Sequence, residues 1–370
     1  MTPRSIPRAL GAVALVAAFV LSGCSAPTAR TTGTNDGEGV IGVSLPAVDD
    51  RSWERLGDAL GEELRARGYR VDLQYAAGDG RTQSAQAQNM LTKGEDAIVL
   101  VPLSTDALAR ARTAADDAGV PLIAAGRDLD GAGAVEAVDP AALGRAQAQA
   151  LLDAVADAPE PTDVALFAGA RDDPDATTRH AAALEVLEPA EASGAVRIVA
   201  GVDAQSAAVA DTPAEVESAS EERARTVLAP SDDATVGAVL ALGDAVTRGV
   251  VAALTTPDPR ETASPSPTAS PEPTAPAERY ITPAPRVPPV VVGSGGDAPT
   301  VRALRDGIVS ATVFVDTREW AVPLADAVEE ALAGDPPPDS VAPQPLTVER
   351  NAVEAVFLDS AWVRVEDLAD

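Results

Sequence analysis

Four aspartates, an arginine and a tryptophan stand where apolar runs give way to polar chain: Trp53, Arg127, Asp139, Asp175, Asp244 and Asp297. Carboxylates and guanidinium groups make charge-assisted hydrogen bonds to hydroxyls, and the flat face of an indole packs against C–H bonds. Together these are the groups that would hold a small polyhydroxylated molecule. Each has a plainer reading. Asp139 precedes Pro140 and could do no more than cap helix 140–156. Asp244 and Asp175 could likewise cap helices 244–254 and 175–187, Trp53 extends an apolar helical face, and Arg127 could pair with Asp128 or Asp130. A helix-start aspartate can do both jobs, and ligand contact is the favoured reading for Asp139, Asp244 and Asp297. His180 is the one histidine and has no second His or Cys at ligand spacing, so no metal site is supported. No Gly-Xaa-Ser-Xaa-Gly elbow, phosphate loop or Cys/His pair is visible, so neither an enzyme nor a cofactor is expected.

The elements that must position these residues alternate. Residues 40–45 are a continuous apolar run of buried-strand type, followed by a helix with Trp53, Leu56, Leu60 and Leu64 on one face and Gly68 past its end. Strand 71–75, helix 82–93, strand 97–101, a helix capped by Ser104 and ended by Gly119, strand 121–125 and strand 134–138 complete a first series. A second series runs helix 140–156, strand 164–167, helix 175–187, strand 196–200, helix 214–228, strand 236–242 and helix 244–254. After residues 255–289, Pro/Ser/Thr-rich and expected as a disordered insertion, come strand 290–292, helix 299–308, strand 312–315 and helix 318–333. The alternation implies α/β architecture with parallel sheets covered on both faces, in two doubly wound domains. Ligands bind outside the carboxyl ends of such strands. Trp53 follows the first strand, Arg127 the fourth, Asp139 the fifth, Asp244 the strand ending at 242 and Asp297 the one ending near 293.

The amino-terminal segment carries a different message. Arg4 and Arg8 precede an uncharged run over 9–21, which leads into Leu21-Ser22-Gly23-Cys24. That is the order of a secretory signal, and the run falls short of the ~20 residues of a membrane-spanning helix. The Leu-Ser-Gly-Cys stretch resembles the bacterial lipobox. The resemblance implies cleavage after Gly23, a diacylglyceryl group on Cys24, residues 24–38 as a flexible tether, and residence on the outer face of the cytoplasmic membrane. Cys24 is the only cysteine, so no disulfide remains. A formal charge of -29 repels phosphate and argues against nucleic acid as a partner.

The run Ile41-Gly42-Val43-Ser44-Leu45-Pro46 through Trp53, the stretch Asp72-Leu73-Gln74-Tyr75-Ala76 and the series Gln83, Gln86 and Asn89-Met90-Leu91-Thr92-Lys93-Gly94 resemble the start of a type I periplasmic solute-binding protein. The closest branch is the one receiving xylose and other monosaccharides. Further echoes follow in the same order, among them Leu166-Phe167-Ala168-Gly169, Thr312-Val313-Phe314 and Asp316-Thr317-Arg318. The resemblance implies two Rossmann-like lobes joined by a three-crossover hinge: 39–138 plus 311–339, and 139–310 plus 340–370. It further implies a lipoprotein that captures a sugar for an ABC importer, with a membrane permease as partner. Asp175 stands where that family often has Asn. Ser52, Gly126, Gly243, Gly296 and Val315 replace family side chains that hydrogen-bond, and Arg179 and His180 stand where aromatics are usual. The alternative is a sensory or scaffold lipoprotein that keeps the fold with a degenerate pocket.

The Cys24 assignment is directly testable. Cys24→Ser should leave the precursor without lipid and release the protein from the membrane fraction. Palmitate labelling or membrane fractionation that survives the substitution would refute it.

Overall fold

A computed structural model of the chain describes residues 39–47, 51–126, 129, 133–135, 138–158, 161–229, 235–256, 287–335 and 342–369. Cys24 with the segment before residue 39, Arg127, and residues 257–286 of the Pro/Ser/Thr-rich stretch lie outside them.

The first sheet is wholly parallel. Its strands β1 (Val40–Leu45), β2 (Arg70–Tyr75), β3 (Ala97–Leu100), β4 (Leu122–Ala125) and β5 (Gly133–Val135) lie in the order β2-β1-β3-β4-β5. Three helices connect its first four strands: α1 (Arg51–Ala66), α2 (Gly80–Lys93) and α3 (Thr105–Ala118). α1 buries Leu56, Leu60 and Leu64, spaced by one turn, against this sheet. Asp79 and Ser104 cap α2 and α3 through their side chains, and Gly94 and Gly119 end them in the left-handed region.

The second sheet holds β6 (Thr162–Ala170), β7 (Val196–Ala200), β8 (Ala208–Ala210), β9 (Ala238–Ala241), β10 (Val290–Ser294), β11 (Ala311–Phe314) and β12 (Leu346–Glu349). The order is β12-β11-β10-β9-β6-β7, with β8 also pairing β6. Only β12 runs antiparallel, against β11. β6 is buried along its whole length, as a central strand covered on both faces must be. The helices of this half are α4 (Pro140–Ala154), α5 (Pro174–Ser193), the short α6 (Ala204–Ala207), α7 (Val216–Val227), α8 (Asp244–Thr255) and α9 (Ala298–Asp306). The chain passes between sheets three times: from β5 to α4, from β11 to α10 (Ala321–Ala333), and from α10 to β12. α10 packs Leu324, Ala325 and Val328 into the core of the first sheet.

Several expectations need correcting. Residues 311–314 do not belong with the first sheet: β11 pairs with β10 on one side and β12 on the other, so the crossing starts after Phe314. The helix expected over 318–333 is a 3-10 turn, Thr317–Trp320, followed by α10. The fifth strand begins at Gly133, one residue before the expected start, and does not include Val138, and the helix expected over 175–187 runs from Pro174 to Ser193 with Pro189 inside it.

One buried charge stands apart. Glu95, 3% exposed, precedes β3, and its carboxyl lies over Gly42 of β1, where a Cβ would collide with it. Among the described residues neither carboxyl oxygen has a hydrogen-bond donor. Burial first, and then the neighbouring Asp72 carboxyl, lift its pKa to about 7, while Lys93 opposes the shift. The folded state thus holds this proton more tightly than the unfolded chain. Its stabilising effect is complete below pH 4.5 and is lost as pH rises through about 7. Glu95→Gln, neutral throughout, should therefore lose less stability than wild type between pH 5 and pH 8, by on the order of 1–3 kcal/mol in chemical denaturation. Equal pH dependence in the two proteins would contradict the assignment.

Candidate functional site

The carboxyl ends of both sheets converge on one cleft. Its floor is held by buried polar side chains that reach the last carbonyls of the strands. From α2, Gln83 donates to the Val101 carbonyl at 2.8 Å and accepts from the Leu103 amide at 2.9 Å. From α4, Gln147 donates to the Ala241 and Gly293 carbonyls, both at 3.3 Å. Thr247 of α8 donates to the Gly243 carbonyl at 2.9 Å and accepts the Ser294 amide at 2.8 Å, which ties the start of α8 to the end of β10.

Two cavities open there, of about 640 and 440 Å³, both lined by Ser52, Arg179 and Asp244. The larger is lined by Arg51, Arg179 and Arg248 and by Asp173, Asp244 and Asp297. The smaller is walled by Trp53, Val101, Leu103, Val138, Leu143 and Trp320, with Asp175, Arg179 and Asp244 at its polar side. Trp53 and Trp320 lie parallel, 5° between planes and 6.2 Å between centroids.

Each charged group is placed by its element. Asp297 caps α9 by accepting the Thr300 amide at 2.9 Å and also accepts Arg248 Nη1 at 2.7 Å. Arg248 Nε donates to Glu217 at 2.8 Å. Burial alone would lower the Arg248 pKa, but the bonds to Glu217 and Asp297 outweigh it and hold the value above the usual range. Asp244, the first residue of α8, accepts the Ser294 hydroxyl at 2.8 Å. Its carboxylate lies against Gly295, whose φ of 89° and lack of a side chain make room for it. Arg179 is carried by α5, and its backbone carbonyl rests on Gly144 of α4, where a Cβ would overlap it.

A cleft at the carboxyl ends of two parallel sheets, crossed three times by the chain, is a ligand-binding architecture. Residues 41–262 match the periplasmic binding protein domain family. The chain belongs to that family. It is 25% identical to the multiple sugar-binding periplasmic receptor ChvE of Rhizobium radiobacter over 90% of this chain and 92% of the relative. It is 27% identical to the multiple sugar-binding periplasmic protein SbpA of Azospirillum brasilense, covering 82% and 81%. A solved solute-binding protein of a Clostridium phytofermentans ABC transporter, with bound beta-D-glucose, superposes with a TM-score of 0.68 at 23% identity, covering 89% of this chain and 100% of that one. The two-lobed α/β fold is that of a type I periplasmic binding protein.

In this periplasmic binding protein the cleft gathers Trp53, Asp175, Asp244 and Asp297. Trp53 is half-buried, so packing and cavity lining are both realised in it. Asp139 is not brought in. Its side chain is 56% exposed, caps α4 through the Ala141 amide at 2.8 Å and pairs with Arg145, while its neighbours Val138 and Pro140 line the cleft. Asp175 does not cap α5. Asp173 does, because Pro174 takes the first helical position. Gly243 rather than Asp244 is the cap residue of α8. Arg127 lies outside the described residues. Ser52, Gly126, Gly243, Gly296 and Val315 all line the cavities.

Sequence reasoning missed Asp173 and Arg248 and treated Arg179 only as a departure. Two signals were available. Arg248 stands one helical turn from Asp244, on the same face. Asp173-Pro174 repeats the Asp139-Pro140 pattern.

Thr247→Val keeps the shape but leaves the buried Ser294 amide without its acceptor. Thermal or chemical denaturation should show a loss of about 1–3 kcal/mol, and an unchanged midpoint would remove Thr247 from its positioning role.

Proposed function

We propose that this protein captures a small polyhydroxylated solute, a sugar or sugar derivative, outside the cytoplasmic membrane and presents it to an ABC permease. One observation carries the reading: at the strand carboxyl ends, a cavity lined by Asp173, Arg179, Asp244, Arg248 and Asp297 adjoins one lined by Trp53 and Trp320, with Arg179 and Asp244 in both. Asp244, Asp297 and Asp175 would accept ligand hydroxyls, and Trp53 would cover a C–H face. The names of the Rhizobium and Azospirillum relatives, and the glucose held by the Clostridium protein, support the same class of ligand. Binding is the whole task; no bond of the ligand is made or broken. Closure of the two lobes around the solute would be the signal read by the permease. Lipid on Cys24 would keep the protein at the membrane surface, where two acyl chains suffice for stable residence.

The small side chains at Ser52, Gly126, Gly243, Gly296 and Val315 favour one second reading, a fold kept for contact with another protein.

Ligand screening separates the two. A solute at a hundredfold excess over its Kd raises the unfolding free energy by about 2.7 kcal/mol. Asp244→Ala should abolish most of that gain while costing the unliganded protein about 1 kcal/mol for the lost bond to Ser294. If sugars, polyols and amino acids give no thermal shift and no compaction in small-angle scattering, solute capture fails and the scaffold reading replaces it.

A further inference from the structure

Resting on the solute-capture reading, we propose that Arg179 selects for a carboxylate on the ligand, so that the solute is an acidic sugar such as a uronic acid. The argument begins with how the three arginines of the larger cavity are used. Arg51 is held by Asp367 at 2.9 Å and by Glu54 at 3.6 Å. Arg248 is held by Glu217 and Asp297 at 2.8 and 2.7 Å. Both guanidinium groups are therefore spent on the protein. Arg179 is not. Among the described residues its one ionic partner is Asp173, at 3.7 Å, beyond hydrogen-bonding distance, and its buried Nε has no hydrogen-bond partner. Yet the side chain is only 19% exposed and lies where the two cavities meet. A guanidinium largely withdrawn from water with its Nε unpaired among the described residues is costly, and a ligand carboxylate accepting from its terminal nitrogens would restore part of what desolvation removed.

The surrounding charges point the same way. The chain as a whole carries a formal charge of -29, but this cavity is lined by three arginines and three aspartates. Each of those aspartates also sits at a helix amino terminus: Asp173 caps α5, Asp244 opens α8 and Asp297 caps α9. The positive end of each helix dipole offsets part of its carboxylate charge. Asp297 is further neutralised by Arg248, and Asp244 accepts the Ser294 hydroxyl. Among the described residues the ion pair of Arg179, with Asp173 at 3.7 Å, is the longest of the three arginines' closest pairs, and Asp173 is also the α5 cap. A neutral sugar would leave that imbalance in the closed cleft, whereas a carboxylate cancels it. The geometry also separates the ends of such a ligand. The carboxylate would meet Arg179, which lines both cavities, hydroxyls would meet Asp244 and Asp297 in the larger, and the ring would extend towards Trp53 in the smaller.

The test is calorimetric titration of the whole protein with matched pairs, D-glucuronate against D-glucose and D-galacturonate against D-galactose, at equal ionic strength. At least one acid should bind about tenfold more tightly than its neutral parent, and rising salt should erode the difference. Arg179→Gln should abolish the preference, read as the ratio of acid to neutral affinity within the same variant, and Arg179→Lys should keep part of it. Should Arg179→Gln fail to fold, the wild-type pairs and the lysine variant still decide. Neutral sugars binding as tightly as their acids overturns this inference and leaves solute capture standing. Absence of binding by either class, followed by failure of the wider screen, overturns both.

Discussion

One buried indole ties the lobes' junction together. Trp362 is fully buried, and its Nε1 donates to the Gly296 carbonyl at 2.8 Å. Its ring stands edge-on to Phe314 at 4.6 Å, under the guanidinium of Arg318 at 5.3 Å. Its own carbonyl accepts Arg55 Nε of α1 at 3.1 Å. One residue thus touches the β10–α9 turn, the end of β11, the crossing that follows β11, and a helix of the first sheet. Around it, Arg318 clasps Asp316 and donates to the Ser360 carbonyl, Thr317 donates to the Ser52 carbonyl, and Arg51 reaches Asp367. Aromatic burial supplies the energy and the polar contacts supply the direction. Segments far apart in sequence are thereby held beside the cleft.

This packing accounts for part of the composition of the site. A Cβ on Gly296 would come 2.8 Å from both Phe314 and Phe357, so the aromatic cluster under the cleft leaves no room for a side chain there. Gly295 is bound by a second constraint, the close approach of the Asp244 carboxylate. Small residues in the lining are in these cases the consequence of packing beneath it. Gly126 differs: its φ of 78° restricts side chains, but the nearest atom a Cβ would meet is on Trp320 at 3.5 Å. The surface it leaves open is the indole of Trp320 itself.

The two halves solve the same local problem with the same chemistry. A parallel strand that ends at a cleft has carbonyls with no further ladder partner, and buried polar groups must be paired. Gln83 meets that need at the end of β3, and Gln147 does so at the ends of β9 and β10. Each comes from a helix packed against the sheet, while helices and helix caps at the cleft carry the charged residues. Thr247 adds a third tie, which fixes the amino end of α8 and with it Asp244.

The sequence by itself determined the alternation of strands and helices, their amphipathic faces and most of their ends, because these depend on local period and on cap residues such as Asp79, Ser104, Gly94 and Gly119. It also read Trp53, Asp244 and Asp297 as following strand carboxyl ends, which are legible once strands are, and these line the cavities. Local signals could not assign β11 to the second sheet, because an apolar strand of four residues fits the centre of either sheet and only its pairing with β10 and β12 decides. They could not separate Asp139 from Asp297, both helix caps, because one pairs with exposed Arg145 and the other with Arg248 inside the cavity. Nor could they show that Arg179 meets Asp173 only at 3.7 Å while Arg51 and Arg248 have carboxylates within 2.9 Å, which is set by partners up to 316 residues away. Which element a residue occupies follows from its neighbours in the chain; which charge it meets follows only from how the lobes fold against each other.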